Sequence, residues 1–525
     1  MKRNLIIKIL LGIIVVAVLT KFLTTVLVGP WVEKKIIAAW NEKYKDYPIE
    51  IKKVRISILA SGIKLENISI SPGQDTSGSG EIGSINIKGI NIAKAIFRKE
   101  INIREINISN IGLKMKIPFP QDSLAATLSK QHIRIGSVLL DKTNREIEKT
   151  LNAQVFKMMD GVLVVHDLRI SKQDTMSLRI LRQFDFKAEE LLFVSPDSFY
   201  TYSARGMNYS DTLNTLAVDS FFVQPNYKNY DFTSRHDYES DRFDAALSDV
   251  SVHKFTVLDF IHTGRIESSY IEVGELNIKA FRDKRKEFQH VNKPEFQDVI
   301  YDYPGNIRID SIAVLSGNIT YTEHAEESNE PGYISFNKIR VKIYKISNDS
   351  IYKTEKGFIE LKGSTMLMGK GRLFVTLKAR LFDNRNTFSL YGILTNLEAK
   401  ELNPMLEKNA YVYATSGKID TMNFSFTANS SKATGKMTLI YDGLDLAVKN
   451  KTTDDTTALK ERIISIVANW KVKDSNPIPG KEVREGIIDY ERDPEKFLFN
   501  YCFKSILTGI QSSLAKNPSK KRNRK

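Results

Sequence analysis

The chain has 525 residues, 42% hydrophobic and 26% charged, so it can bury a sizeable core as ordinary folded proteins do. Its single cysteine, Cys502, excludes a fold held by disulfides. The net charge of +15 raises nucleic acid as a partner, but basic and acidic residues alternate along the body, as at Arg104, Glu105 and Lys114. The dense basic block is the tail, Lys516 and residues 520–525, with no aromatic and basic recognition motif beside it. It reads as a solvated end or a patch for anionic headgroups, and no nucleic-acid partner is expected.

Residues 1–30 are expected to form a transmembrane anchor. The apolar run 5–28 carries Leu5, Ile9, Leu11, Ile14, Val16, Val18, Phe22 and Leu27 and exceeds the ~20 residues that a hydrocarbon core requires. Lys8 can snorkel, while Lys21 lies deeper and implies tilt. Lys2 and Arg3 before the run place the N-terminus in the cytoplasm and the body outside. A cleaved signal peptide has a similar layout, yet Leu19-Thr20-Lys21 and Val28-Gly29-Pro30 make poor cleavage sites and no lipoprotein cysteine follows.

Within 31–48, an amphipathic juxtamembrane helix is expected, because Val32, Ile36, Ile37 and Trp40 share one helical face. It either packs on the first strands or lies at the headgroup level, where Trp31 and Trp40 would suit the interface.

From Ile49 the hydrophobic period becomes two. Ile56 and Ile58, Ile63 and Leu65, Ile68 and Ile70, then Ile101, Ile103, Ile106 and Ile108 alternate with polar residues, giving strands with one apolar and one wet face. Alternation continues through 133–140, 161–170, 191–194, 200–209, 215–223, 265–278 and 307–321, whereas 176–188 fits strand or helix. Residues 74–80 read as a loop, 93–98 as a helical turn, and 281–302 and 323–332 as polar connections. Helices are expected at 458–470 and 494–515.

The expected fold is mainly β: a transmembrane helix, then a long curled antiparallel sheet forming a groove, with a few short helices. The groove divides into an N-terminal part, 49–302, and a C-terminal part, 303–493. A capping helix, 494–515, with an apolar seam of Phe497, Leu498, Tyr501, Ile506 and Leu514, covers the last sheet edge, and 516–525 is a disordered tail. Roughly 25 to 30 strands of ordinary length would extend on the order of 120 to 145 Å. Twist makes such a sheet curl into a trough or break into packed sheets. Its apolar face is then covered by a protein core, by the opposite wall or by an acyl chain.

No catalytic constellation emerges. The seven histidines, at 132, 166, 236, 253, 262, 290 and 324, contain no His-x-x-x-His pair. Gly371 stands where a phosphate loop ending in Gly369-Lys370 would need Ser or Thr, and Gly78-Ser79-Gly80 lacks the spacing of a nucleophile elbow. Asp454-Asp455 suits a solvated loop, and Glu491 with Asp493 suits a helix start. No catalytic, metal or cofactor residue is nominated. The candidate site is the groove lining: Ile56, Ile58, Ile63, Leu65, Ile68, Ile70, Ile101, Ile103, Ile106 and Ile108.

The order of several short units adds a resemblance. Gly62-Ile63-Lys64-Leu65-Glu66-Asn67-Ile68-Ser69-Ile70 and Ile101-Asn102-Ile103-Arg104-Glu105-Ile106 follow the anchor. Gly317-Asn318-Ile319-Thr320-Tyr321, Ser416-Gly417-Lys418-Ile419, Ala433-Thr434-Gly435-Lys436-Met437, Tyr441-Asp442-Gly443-Leu444, Asn476-Pro477 and Phe499-Asn500-Tyr501 come later. This order resembles the AsmA-like family of inner-membrane-anchored bacterial envelope proteins, in its Bacteroidetes-type form, loosely over 5–116 and more specifically over 303–514. No motif matches over 121–302. The resemblance implies a periplasmic groove related to bridge-like lipid-transfer proteins, with phospholipid acyl chains as ligand. The implied role is in phospholipid transport between membranes or outer-membrane biogenesis; the alternative is a scaffold or assembly factor for envelope proteins. The longest members of that family are much larger, so a bridge made by this chain alone does not follow.

Overall fold

The structure is a computed structural model that describes residues 29–43, 48–57, 61–71, 78–91, 100–115, 132–149, 154–170, 183–349, 358–448 and 474–514. The expected anchor up to residue 28, the turn at 93–98, the helix at 458–470 and the tail lie outside those residues. Among the described residues no helix is long and apolar enough to cross a membrane. The chain forms two compact units: Met1–Phe221 with Thr256–His262, and Phe222–Phe255 with Thr263–Lys525.

The first unit opens with α1 (Gly29–Lys43). Pro30 sits in its first turn, where a missing amide hydrogen costs no helical bond. Strands β1 (Ile49–Ser57), β2 (Gly62–Ile70), β3 (Gly78–Lys88) and β4 (Glu100–Met115) follow. Next come β5 (His132–Lys149), β6 (Gln154–Ile170), β7 (Gln183–Val194), β8 (Tyr200–Ser210) and β9 (Thr215–Pro225), which passes into the second unit at Phe222. Val32, Ile36, Ile37 and Trp40 of α1 pack on a core of Ile49, Ile51, Val54, Leu65 and Ile68, and Asn41 Oδ1 accepts the Ile49 amide at 2.9 Å. Of the two readings of this helix, packing on the first strands is therefore the one observed, with Trp31 exposed.

Strands β1 to β4 pair antiparallel in series, and so do β5 to β8, but β4 and β5 are parallel. The expected wholly antiparallel sheet is thus corrected to a mixed one. A parallel neighbour needs a return crossover of about a dozen residues or more, and residues 116–131 supply that length.

The second unit contains α2 (Asn229–Ser234), β10 (Asp241–His253), β11 (Ile266–Ser268) and β12 (Tyr270–Asp283), while α3 (Val257–Thr263) belongs almost wholly to the first unit. After α4 (Phe296–Tyr301) come β13 (Ile307–His324), β14 (Gly332–Ser347), β15 (Phe358–Leu367), β16 (Gly371–Arg380) and β17 (Phe388–Glu398). The chain then runs through a 3-10 turn (Ala399–Leu402), α5 (Asn403–Asn409), β18 (Val412–Ala428), β19 (Lys432–Val448), β20 (Glu485–Glu491) and α6 (Leu498–Leu514). β11 and β12 run parallel to β13, β10 runs antiparallel to β12, and β13 to β20 form an antiparallel series.

Several expected boundaries move. The connection expected at 281–302 begins inside β12 and contains α4, the 74–80 loop ends where β3 starts at Gly78, and 183–194 is strand. The last helix starts at Leu498 rather than 494, because Asp493 accepts the Glu495 amide at 3.0 Å and draws that stretch into a turn. Twenty strands are described, fewer than expected, because β4, β5, β6, β13, β14, β18 and β19 each run 16 to 18 residues.

Left-handed residues inside these long strands explain the hydrophobic pattern. Strict alternation would put Leu65 and Ile68 on opposite faces, yet both are buried in the core beneath α1. Asn67, at φ 52°, lies between them and shifts the phase by one. Asn67, Gly83, Asn110 (φ 56°) and Lys142 (φ 50°) are the positions skipped between otherwise continuous pairings of β2 to β5, so the shift crosses these strands as one seam. A Cβ on Gly83 would lie 2.9 Å from Asn110 Cβ. Gly83→Ala should therefore cost the first unit about 1–3 kcal/mol, whereas Gly112→Ala, whose nearest neighbour lies at 3.9 Å, should be near neutral. Equal denaturation midpoints for the two variants would refute this account of the seam.

Over β16 to β20 the apolar face of the second unit is filled by protein. Phe388, Leu390, Leu394, Phe424, Phe426, Met437 and Ile488 pack with Tyr501 and Leu514 of α6, and with Leu498, Cys502, Ile506 and Ile510 at the margin. Helix and strand approach closely because Gly486 and Gly509 carry no side chain: a Cβ on Gly509 would lie 2.8 Å from Ile488 Cγ1. The amides of Ile487 and Asp489 donate to Ser512 Oγ and Thr508 Oγ1 at 3.0 and 3.2 Å, so α6 also covers the edge of β20.

Candidate functional site

The apolar residues of the first unit line up across strands. Val54 pairs with Leu65, then in register come Ile85, Ile108, Leu140, Leu163, Phe186 and Tyr209, one from each of β1 to β8. Two residues along each strand lies a second row: Ile56, Ile63, Ile87, Ile106, Val138, Val165 and Phe184. Because side chains alternate with period two, both rows occupy one face. At about 4.8 Å per strand the longer row extends about 34 Å, comparable to the ~30 Å hydrocarbon thickness of a bilayer.

Protein covers both ends of this ladder. At the β1 end, α1 covers Val54 and Leu65, with Ile56, Ile63, Ile82 and Ile85 packed alongside. At the β8 end, Leu258 of α3 packs with Val165, Phe184 and Tyr209. There Tyr209 donates its hydroxyl to Asp211 Oδ1 at 2.8 Å and accepts the Val257 amide at 3.3 Å. Burial, with the Asp211 hydrogen bond adding to it, pushes the Tyr209 hydroxyl well above its ordinary pKa.

The opposite face is wet. Glu66 accepts ion pairs from Lys64 at 2.7 Å and Arg55 at 3.0 Å, and Glu105 pairs with Lys88 at 3.3 Å. The Lys64 hydrogen bond holds the Glu66 carboxyl below its usual range. Hydrogen bonds from Asn107 and then Lys88 do the same for Glu105.

The ten groove candidates divide accordingly. Leu65 and Ile68 are buried, and Ile56, Ile63 and Ile70 pack against them, so these five belong to the protein-filled end. Ile58 lies outside the described residues. Ile101, Ile103, Ile106 and Ile108 are half-buried and join none of the core clusters. Among them, Ile106 and Ile108 lie in the middle of the two rows, while Ile103 pairs with Ile135 outside them. Sequence reasoning missed Val138, Leu140, Leu163, Val165, Phe184 and Phe186. Their two-residue spacing was visible, but their alignment with Ile106 and Ile108 depends on register.

Between Val54 and Tyr209 the two rows contain only aliphatic and aromatic side chains. Such a surface can lower the free energy of hydrocarbon by removing it from water, by about 0.8 kcal/mol per buried methylene, but it offers no proton donor or nucleophile. The nearest histidine, His166, faces Asp185 at 3.3 Å, outside both rows. Among the described residues no three His, Cys, Asp or Glu side chains gather as metal ligands. Comparison with known proteins finds no family that matches this chain and no curated protein that matches it.

Proposed function

We propose that this chain is a non-enzymatic, single-pass protein of the bacterial inner membrane, its N-terminus cytoplasmic and its body periplasmic. Its first unit holds phospholipid acyl chains on the apolar ladder, and it thereby aids phospholipid transport between membranes or outer-membrane biogenesis. The observation that carries the reading is the half-buried middle of the ladder, Ile106, Ile108 and Leu140, which joins none of the core clusters formed with α1 and α3. The mechanism is passive: aliphatic rows solvate the tails while headgroups stay in water, and direction comes from partners.

Native mass spectrometry of the full chain, extracted in mild detergent, tests this directly. Adducts of phospholipid mass are expected, and a photo-crosslinker at Ile106 should capture lipid. Lipid-free protein would overturn the reading, and crosslinks to envelope proteins alone would replace it with a scaffold or assembly factor.

A further inference from the structure

The wet face of the second unit carries a concentrated positive charge. β14 bears four basic residues, β15 one and β16 three, against a single acid, Glu360. That acid is shared by Lys362 at 3.1 Å and Lys378 at 3.3 Å. Arg340, Lys342 and Arg372 are exposed and form no ion pair among the described residues. Lys342 lies directly opposite Lys362, and like charges in that position destabilise a sheet unless a counter-charge relieves them. Neighbouring strands supply none in those rows. Ala313 stands opposite Lys342 on β13, and Tyr391 and Ile393 continue the rows on β17. In the row of Lys342 the next carboxylate, Glu272 of β12 opposite Ala313, already accepts the Tyr270 hydroxyl, and Asp310 of β13, in another row, faces Arg308 at 3.7 Å.

Two further features share this face. Phe374 and Tyr391 are 47% and 46% exposed. A depression of about 460 Å³ is lined by Asp310, Tyr344, Lys345, Phe358, Glu360 and Lys362.

We infer that the β14–β16 wet face docks on the surface of a bilayer containing anionic lipids. Headgroup phosphates neutralise Arg340, Lys342 and Arg372, and Phe374 and Tyr391 enter the interfacial layer, where aromatic rings are favoured. Single-stranded nucleic acid is the poorer fit, because it needs a groove that tracks the backbone and free ring faces for stacking. Here the basic residues form a grid over three strands. Ammonium groups already lie over the Phe358 ring, from Lys345 at 5.7 Å and Lys378 at 5.4 Å, and over the Tyr344 ring, from Lys362 at 6.0 Å. This surface is separate from the acyl ladder, so either reading can fail alone.

The test is capture of vesicles by the full chain held in zwitterionic nanodiscs. Vesicles with 30% phosphatidylglycerol should be retained about tenfold better than phosphatidylcholine vesicles at low salt, with the preference lost at high salt. Arg340→Glu, Lys342→Glu and Arg372→Glu combined should abolish the preference with an unchanged circular dichroism spectrum. Lys228→Glu, Lys400→Glu and Lys481→Glu, an equal charge change on exposed residues elsewhere in the unit, should keep it. Equal loss in both triples would reduce the effect to net charge and overturn the inference. It would also fail if the first triple kept its preference, or if it lost oligothymidylate binding while vesicle capture stayed intact.

Discussion

Aspartate at both Ile106 and Ile108 is expected to strip the purified chain of phospholipid by about tenfold or more, which requires only ~1.4 kcal/mol of lost binding. Two carboxylates in the middle of the aliphatic rows must either be desolvated by a bound tail or keep water where the tail would lie, and both are unfavourable. The fold should tolerate them, because these positions are half-buried and belong to no core cluster. Leu65→Asp is the contrasting case: at 7% exposure beneath α1 it should unfold the first unit. Lipid phosphorus per protein, measured beside thermal unfolding, separates the two effects. Unchanged lipid in the doubly substituted protein would remove the ladder as the binding surface.

Tyr501→Ala should cost the second unit about 3–5 kcal/mol, as large-to-small changes of buried aromatics do. The ring is 2% exposed and meets Phe388 edge-on at 5.9 Å. Its hydroxyl donates to the Asn429 carbonyl at 3.0 Å. Phe499→Ala, on the same helix but 59% exposed, should change stability by no more than about 0.5 kcal/mol. Denaturant titration reads both. A small loss for Tyr501→Ala would mean that α6 does not hold the apolar face it covers.

The substitutions at Ile106 and Ile108 and at Tyr501 also mark how differently the units treat the same hydrophobic pattern. In both, alternating residues form strands with one apolar face, and that much is local: β-branched side chains at period two leave the chain few other ways to bury them. The face of β17 to β20 is filled by α6, whereas Ile106 and Ile108 of β4 and Leu140 of β5 join none of the core clusters.

The candidate site was legible in part. Ile106 and Ile108 could be nominated from alternation, but Leu65 and Ile68 could not be told from them, because burial beneath α1 depends on where a distant helix lands. The basic face escaped notice for a related reason. Along the chain its residues are interleaved with apolar ones and spread over 338–380, so they look scattered until pairing stacks β14, β15 and β16 side by side.

The amino-acid sequence by itself determined the β class, the existence of amphipathic helices within 31–48 and 494–515, though not their bounds, and the absence of disulfides, because each follows from short-range periodicity or a residue count. Only the tertiary structure decided that β4 meets β5 in parallel, that left-handed residues keep successive isoleucine pairs on one face, and that eight strands align their apolar side chains into continuous rows. Those properties reside in register and crossover, which join residues far apart in the chain, and periodicity within one strand carries no information about its neighbour's alignment.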